Sequence, residues 1–397
     1  MKNINVGLVS LGMAFVLSLI GNVEIDVVLG GFPSKLFMTL LGTMFFFCLL
    51  QENHTLELLS KKMVAMVGKF TFLIPFIIYV VSYLLSAAGP GAISVQSVMI
   101  IFAISLSIQM QASPILMGGM AILGAVGGTT SPIALSGIIV TDLTTEMGYS
   151  NMAMPVFIGV SVVNLICAIL LYIVFKGYAI KQTGEIETLP KFTKSQILCI
   201  LAVIVLVVAV VGFRMDVGMV SFALAFLLMF AGVVNEKAAL KLIPWSVLLL
   251  ICGVNVLMTV TKTLGGIDLL ADLLSSLMTG MTATPIIGLT SGLMSWFSSA
   301  NGVVLPTLIP TVPTIVQNLG GSVTVSEMIM GIVGGATVAG ISPLSTGGSL
   351  ILASYTQETD ASEEEQRNLF AKLFITSFAA VLVVVIFAFV GGFKLFG

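Results

Sequence analysis

Apolar residues run along this chain in blocks of about 15 to 25, too continuous for the faces of soluble helices and suited to the thickness of a bilayer. The first block covers 4–20 and the second 36–50. Between 52 and 69, Glu57, Lys61 and Lys62 mix with Leu56, Leu58, Leu59 and Met63, a pattern for a helix lying in the membrane interface. Two apolar pieces follow, 70–85 and 93–108, separated by Ser86-Ala87-Ala88-Gly89-Pro90-Gly91-Ala92. Breakers at that point make either a loop between two spans or the tip of a re-entrant hairpin. The stretch 115–145 is interrupted at Gly127-Gly128-Thr129-Thr130-Ser131-Pro132 and reads as one span broken in mid-membrane, and further blocks cover 153–175 and 197–213.

The order then repeats. A shift of 211 positions, without a gap, pairs Gly7 with Gly218, Gly21 with Gly232, Pro33 with Pro244, Gly42 with Gly253 and Gly91 with Gly302. It also pairs Gly124 with Gly335, Ser131-Pro132 with Ser342-Pro343, and Gly137 with Gly348. Glycine and proline coincidences carry weight because each marks a backbone constraint; chance alignment of glycine-rich helices is the competing reading. The second copy has its tip at Ser298-Ser299-Ala300-Asn301-Gly302 and its break at 340–348. The chain therefore divides into a first repeat at 1–175, a cytoplasmic linker plus connecting transmembrane helix at 176–216, and a second repeat at 217–397.

Charge orients this arrangement. If each tip returns to its own side, every repeat crosses four times and the block 197–213 adds a ninth crossing. One side then carries Lys2, Lys61, Lys62, Lys69, Lys176, Lys181, Lys191, Lys194, Lys237, Lys241, Arg367 and Lys372, and the other Lys35, Arg214, Lys262 and Lys394. Twelve against four marks the first side as cytoplasmic. The N-terminus is expected in the cytoplasm and the C-terminus outside, and the repeats are expected to be inverted. The expected fold class is an all-α polytopic membrane protein with two inverted repeats, each holding a re-entrant hairpin and a broken transmembrane helix.

Composition agrees. The 397 residues are 58% hydrophobic and 9% charged, with a mean hydropathy of +1.16, against roughly 25% charged residues in soluble proteins. A soluble globular enzyme is excluded. The formal net charge of −2, with no basic or acidic block, speaks against nucleic acid as a partner. Cys48, Cys167, Cys199 and Cys252 sit inside apolar blocks without paired spacing and read as buried thiols.

Inverted repeats with broken helices build secondary transporters, with the site where the breaks meet. The candidate substrate- and ion-binding residues are Ser86, Gly89, Pro90, Gly91, Thr129, Thr130, Ser131 and Pro132 in the first half. In the second half they are Ser298, Ser299, Asn301, Gly302, Ser342, Pro343, Ser345 and Thr346. None is ionisable. Freed carbonyls and hydroxyls suit Na⁺, and helix N-termini with hydroxyl donors suit a carboxylate. With no Arg or Lys beside it, the anion needs a counter-charge, which co-bound Na⁺ would supply through the same tips and breaks; no other cofactor is expected. The bland reading is that these small residues only allow close helix packing. Proton coupling is the rival, and it calls for interior Asp, Glu or His. His54 lies in the interfacial stretch and reads as a solvated residue; Asp142 and Glu146 follow the first break, where Asp142 is a candidate for gating or proton transfer. The run Glu363-Glu364-Glu365 reads as a solvated helical face. An intramembrane serine hydrolase would need a base that the interior lacks, and no HExxH, CxxC or P-loop motif is present, so an enzyme is not expected.

The stretch from Gly31-Phe32-Pro33 through Phe45, then Asn53-His54-Thr55-Leu56-Glu57 and Leu85 to Ile93, resembles the malonate and C4-dicarboxylate carrier branch of the ion transporter superfamily. The tip from Phe297 to Pro306 and the break from Ile341 to Thr346 are similar to that branch too, so the resemblance covers nearly the whole chain. The superfamily includes the divalent-anion:sodium symporters. The resemblance implies a homodimer with a static scaffold and a transport domain that moves like an elevator. In those relatives each tip carries a Ser-Asn-Thr motif for substrate carboxylate and Na⁺. Here the first tip has neither Asn nor Thr, so only Ser86, Ser298, Ser299 and Asn301 match the role. Carriers of this branch also have a counterpart of 197–213 at their N-terminus, so this chain is expected to be one span short, through a late start codon or a genuine loss. The function expected is transport of a small di- or tricarboxylate of the malonate, succinate or malate kind across the inner (plasma) membrane, coupled to Na⁺. The alternatives are a dicarboxylate exchanger, a carrier of another divalent anion such as sulfate and, outside carriers, an anion channel or sensor.

Overall fold

The computed structural model describes residues 5–65, 71–180, 190–213 and 215–397, which are helical with no strand among them. Lys2, Lys69, Lys181 and Arg214, four of the charges used for orientation, lie outside the described residues, as do residues 181–189 of the linker. The expected first span is α1 (Val6–Ile20), opened by the Asn5 side chain, which accepts from the Gly7 N–H at 2.8 Å. A short α2 (Ile25–Gly30), absent from the sequence reading, precedes α3 (Ser34–Glu52). The segment expected in the membrane interface is α4 (Thr55–Ala65), where Lys61 bonds Glu57 at 2.7 Å and holds its carboxyl below the usual range. His54 stands exposed at the start of α4, 3.0 Å from Glu57.

The first hairpin is α5 (Ile74–Ala87) and α6 (Gly91–Gln109); α7 (Pro114–Gly128), α8 (Leu135–Glu146) and α9 (Ala153–Val174) follow. The block at 197–213 is α10 (Lys194–Val207), ending in a π-turn at Val208–Gly212. Then come α11 (Val217–Phe230), α12 (Glu236–Leu242), α13 (Trp245–Thr263), α14 (Gly266–Ser276) and α15 (Ala283–Phe297). The return arm of the second hairpin is fragmented into a π-turn at Ala300–Val304, α16 (Leu305–Leu308), a 3₁₀ turn at Ile309–Thr311 and α17 (Val312–Asn318). Pro306, Pro310 and Pro313 remove the amides a continuous helix needs there, whereas α6 contains no proline and runs unbroken for 19 residues. The chain closes with α18 (Val325–Val338), α19 (Thr346–Thr359) and α20 (Glu363–Phe389). The acidic run that read as a solvated face opens α20, with Ser362 and Glu365 forming a reciprocal cap.

Among the described residues six helical stretches are long and apolar enough to cross a bilayer: 25–52, 91–109, 153–174, 245–263, 325–359 and 363–389. The chain is a multi-pass membrane protein. Helices α1, α10 and α11, of 15, 14 and 14 residues, are shorter, since each residue adds only about 1.5 Å. Starts of elements recur at the spacing of the glycine pairs: α3 at 34 and α13 at 245, α4 at 55 and α14 at 266, α7 at 114 and α18 at 325, each 211 apart.

Helices apolar along most of their length belong at the centre. Every residue of α18 is buried, as is every residue of α7 from Ile115 to Gly128. Close approach is what their glycines permit: a Cβ on Gly124 would overlap the Tyr79 carbonyl oxygen of α5, and one on Gly335 the Gly288 carbonyl oxygen of α15. Outside this centre, α1 packs on α13 and α11 packs on α3. Large apolar side chains such as Ile20, Phe226 and Phe230 point outward, as lipid-facing positions do. All four cysteines are free and buried.

Candidate functional site

Helix α7 runs through Gly127 and Gly128 before it stops, so the first break lies at 129–134, two residues later than the sequence pattern suggested. Gly128 stays helical because it packs against the backbone of α5; a Cβ there would strike Tyr83 O. Past the break the chain folds back on itself. The Ser136 and Gly137 amides, at the start of α8, both donate to the Thr129 carbonyl, at 3.0 and 3.1 Å. The second break repeats the bonding: Ser131 N to Gly128 O and Ala134 N to Ser131 O at 129–134, Ser342 N to Ala339 O and Ser345 N to Ser342 O at 339–345. Gly137 and Gly348 are required by this fold-back, since a Cβ on either would overlap Ser131 O or Ser342 O. Of the residues expected in the second break, Thr346 begins α19 and is exposed.

Three of the four interruptions touch. A Cβ on Gly91 in the first tip would lie 3.9 Å from Thr129 Oγ1, and one on Gly89 3.5 Å from Ile133 O, so the first tip rests on the first break. Gly89 and Gly91 hold φ of 135° and 78°, which a side chain would resist. Pro90 is buried between them, and Phe47 of α3 covers the tip at Gly89. The second tip reaches the start of α8, just past the same break: the Ser136 hydroxyl donates to Asn301 Oδ1 at 2.8 Å. The second break sits one turn back along α7, where a Cβ on Gly340 would be 3.6 Å from Val126.

The hydroxyls in this region divide into two sets. Thr130 donates to Gly127 O at 2.6 Å, Ser298 to Met294 O at 2.8 Å, and Ser345 to Ser342 O at 2.7 Å; Ser299 accepts from the Gly302 amide at 3.1 Å and Ser342 from the Leu344 amide at 3.2 Å. By contrast Ser86 and Thr129, fully enclosed, have no partner for their hydroxyl oxygens. Ser131 is buried within the break, and Pro343 is buried within the second. Pro132 faces elsewhere. It lines a cavity of about 530 Å³ between α8, the α2–α3 turn, the start of α11 and α13, walled by Lys35, Asp142, Glu146, Asp216, Asn255 and Thr259 among others. Asp142 therefore shares a cavity wall with Pro132 of the first break. Among the described residues no group of His, Cys, Asp and Glu is placed to hold a metal ion.

Residues 1–129 match the family model for the N-terminus of the dicarboxylate carrier protein MatC. The resemblance read from the sequence stands for this segment, which ends at the first break. No curated protein matches the chain. Among solved structures, the Alcanivorax borkumensis YdaH transporter, described as having an unusual topology, is 14% identical with a TM-score of 0.62. The likeness covers 92% of this chain and 87% of that one, so the two share a fold.

Ser136, Asn255 and Thr259 escaped the sequence reading, and Lys35 entered it only as a charge that orients the chain. Ser136 lies inside an ordinary helical pattern, and its one mark is that the 211-residue shift sets it against Gly347.

Proposed function

We propose that this protein is a secondary carrier that moves a small di- or tricarboxylate, of the malonate, succinate or malate kind, across the inner membrane together with Na⁺. The observation that carries the reading is the meeting of both hairpin tips at the first break, Gly89 and Gly91 beside Ile133 and Thr129 and Asn301 on Ser136 just past it, next to two buried hydroxyls, Ser86 and Thr129, without partners. An unmade hydrogen bond on a buried hydroxyl costs about 1–3 kcal/mol, which a bound cation taking up the oxygen lone pairs would relieve. Asn301 and the amides of the tips supply neutral donors for a carboxylate, and Na⁺ supplies its counter-charge. The family match over 1–129 supports a dicarboxylate as substrate.

The recurrence of element starts at 211 residues supports two repeats, 1–175 and 217–397, joined by the linker and connecting helix at 176–216. With nine crossings the repeats are inverted, the N-terminus is cytoplasmic and the C-terminus outside. Each hairpin with its broken helix forms a transport unit, and α1, α3, α11 and α13 form a scaffold against which it moves like an elevator, in a homodimer. The cavity at Lys35 and Asp142 lies on the seam between these parts and serves as the access path from outside.

Uptake of labelled malonate, succinate, malate and citrate into proteoliposomes, with Na⁺ or choline outside, tests the reading. Saturable uptake that requires Na⁺ is expected; equal uptake in choline removes the coupling. Flux without saturation or counterflow indicates a channel.

A further inference from the structure

Helical hydroxyls in this protein mostly turn back on their own helix. In α8 itself Thr141 donates to Gly137 O at 2.7 Å and Thr144 to Val140 O at 2.8 Å. Ser136 does not. Its proton leaves the helix for the Asn301 carboxamide, 165 positions away in sequence, and the serine is 1% exposed. Its backbone amide meanwhile donates to Thr129 O. Ser136 thus ties the first break, through its main chain, to the second tip, through its side chain.

An asparagine amide can present either its oxygen or its NH₂ to a ligand. Once Oδ1 accepts from Ser136, the Nδ2 end is what Asn301 has left to offer. We infer that Ser136 is a positioning and specificity-determining residue: it locks Asn301 with its NH₂ toward the ligand, which makes the second tip a donor that accepts a carboxylate oxygen and rejects a carboxamide NH₂. This inference rests on the carboxylate-carrier reading above.

The opposite half of the molecule cannot do the same. Shifting the pair by 211 replaces Ser136 with Gly347 and Asn301 with Pro90, and neither side chain forms a hydrogen bond. Recognition is therefore lopsided. One carboxylate of the substrate meets an oriented side-chain amide at the second tip, and the other meets the main chain and hydroxyls of the first half, with no side-chain amide. Selection against an amide at one end of the substrate is a property of the Ser136 side alone.

The test compares a dicarboxylate with its own monoamide, malonate with malonamate, as ligands of the full-length protein and of Ser136→Ala, Ser136→Thr and Asn301→Ala. Loss of one neutral hydrogen bond weakens affinity roughly 2- to 13-fold. Ser136→Ala is expected to bind malonate about 5-fold more weakly while malonamate binding holds or improves, because the freed amide can turn its oxygen to an NH₂ donor. Ser136→Thr, which keeps the hydroxyl, is expected to restore the malonate preference. In the double variant Ser136→Ala/Asn301→Ala, malonate affinity is expected to equal that of Asn301→Ala. Equal loss for both ligands, or additive losses in the double variant, would overturn the positioning role. A parallel cycle on Tm without ligand reads the Ser136–Asn301 bond itself. An intact cycle beside a wild-type protein that binds no dicarboxylate would overturn the carboxylate reading and leave the bond in place, so the two failures are distinguishable.

Discussion

Gly7 and Gly253 meet backbone to backbone, so closely that a Cβ on Gly253 would overlap the Gly7 carbonyl oxygen. Shifted by 211 residues, the pair becomes Gly218 and Gly42, and there a Cβ on Gly42 would lie 2.5 Å from Gly218 O. The partners have exchanged roles: α1 packs on α13 as α11 packs on α3. Such an exchange of partners is what the proposed pair of inverted repeats, related by a two-fold axis in the membrane plane, calls for.

From this exchange it follows that the two contacts should fail alike. Gly42→Val and Gly253→Val are each predicted to destabilise the protein by about 1–3 kcal/mol, the usual cost of overpacking, with similar losses of Tm in detergent. Gly12→Ala, where a Cβ meets nothing within 4 Å, should leave Tm unchanged or slightly raised, since alanine favours the helix. A large effect at one of the two pairs and none at the other would contradict the two-fold relation.

The unpartnered Thr129 hydroxyl gives a prediction with two opposite signs. Thr129→Val removes a buried polar group that forms no hydrogen bond, so in choline its Tm should rise above that of the unmodified protein. If Na⁺ binds there, the rise in Tm on adding Na⁺ should vanish in the variant, because ligand stabilisation requires the site. An undiminished Na⁺ shift would remove Thr129 from the ion site.

How far the sequence revealed this site depends on the kind of residue. Gly137, Gly348, Pro132 and Pro343 announce the breaks because glycine and proline constrain the backbone locally. The exact ends were less legible: Gly127 and Gly128 read as breakers but remain helical, since packing against Tyr83 outweighs their low propensity. Pro306, Pro310 and Pro313 stand in the sequence, but only the structure ties them to a fragmented return arm. The Ser136–Asn301 bond joins positions 165 apart, and nothing in either local pattern specifies it. The cavity residues Lys35, Asn255 and Thr259 come from separate elements, α3 and α13, and their meeting was silent for the same reason.

Orientation can be read by chemical labelling, because Cys48, Cys167, Cys199 and Cys252 are all buried and should stay silent toward an impermeant maleimide. Thr145, exposed at the cavity, and Lys237, exposed on α12, lie on opposite sides in the proposed topology. In intact cells with an opened outer membrane, Thr145→Cys should label directly and Lys237→Cys only after the inner membrane is permeabilised. The reverse pattern would invert the topology.

The cavity wall places three carboxylates, Asp142, Glu146 and Asp216, against one ammonium, Lys35. A doubly charged anion approaching the first break by this route meets a repulsive field, offset among the described lining side chains by Lys35. Lys35→Gln should therefore raise KM several-fold with little change in kcat, since the lysine acts on approach and not at the breaks. Asp142→Asn should lower KM for the same reason. Both effects are electrostatic over distances comparable to the Debye length, about 10 Å at 0.1 M salt, so they should shrink as ionic strength rises. Initial uptake rates of malonate at low and high ionic strength, with Na⁺ held constant and choline varied, check this. A KM that ignores both substitutions at low salt would show that substrate enters by another path.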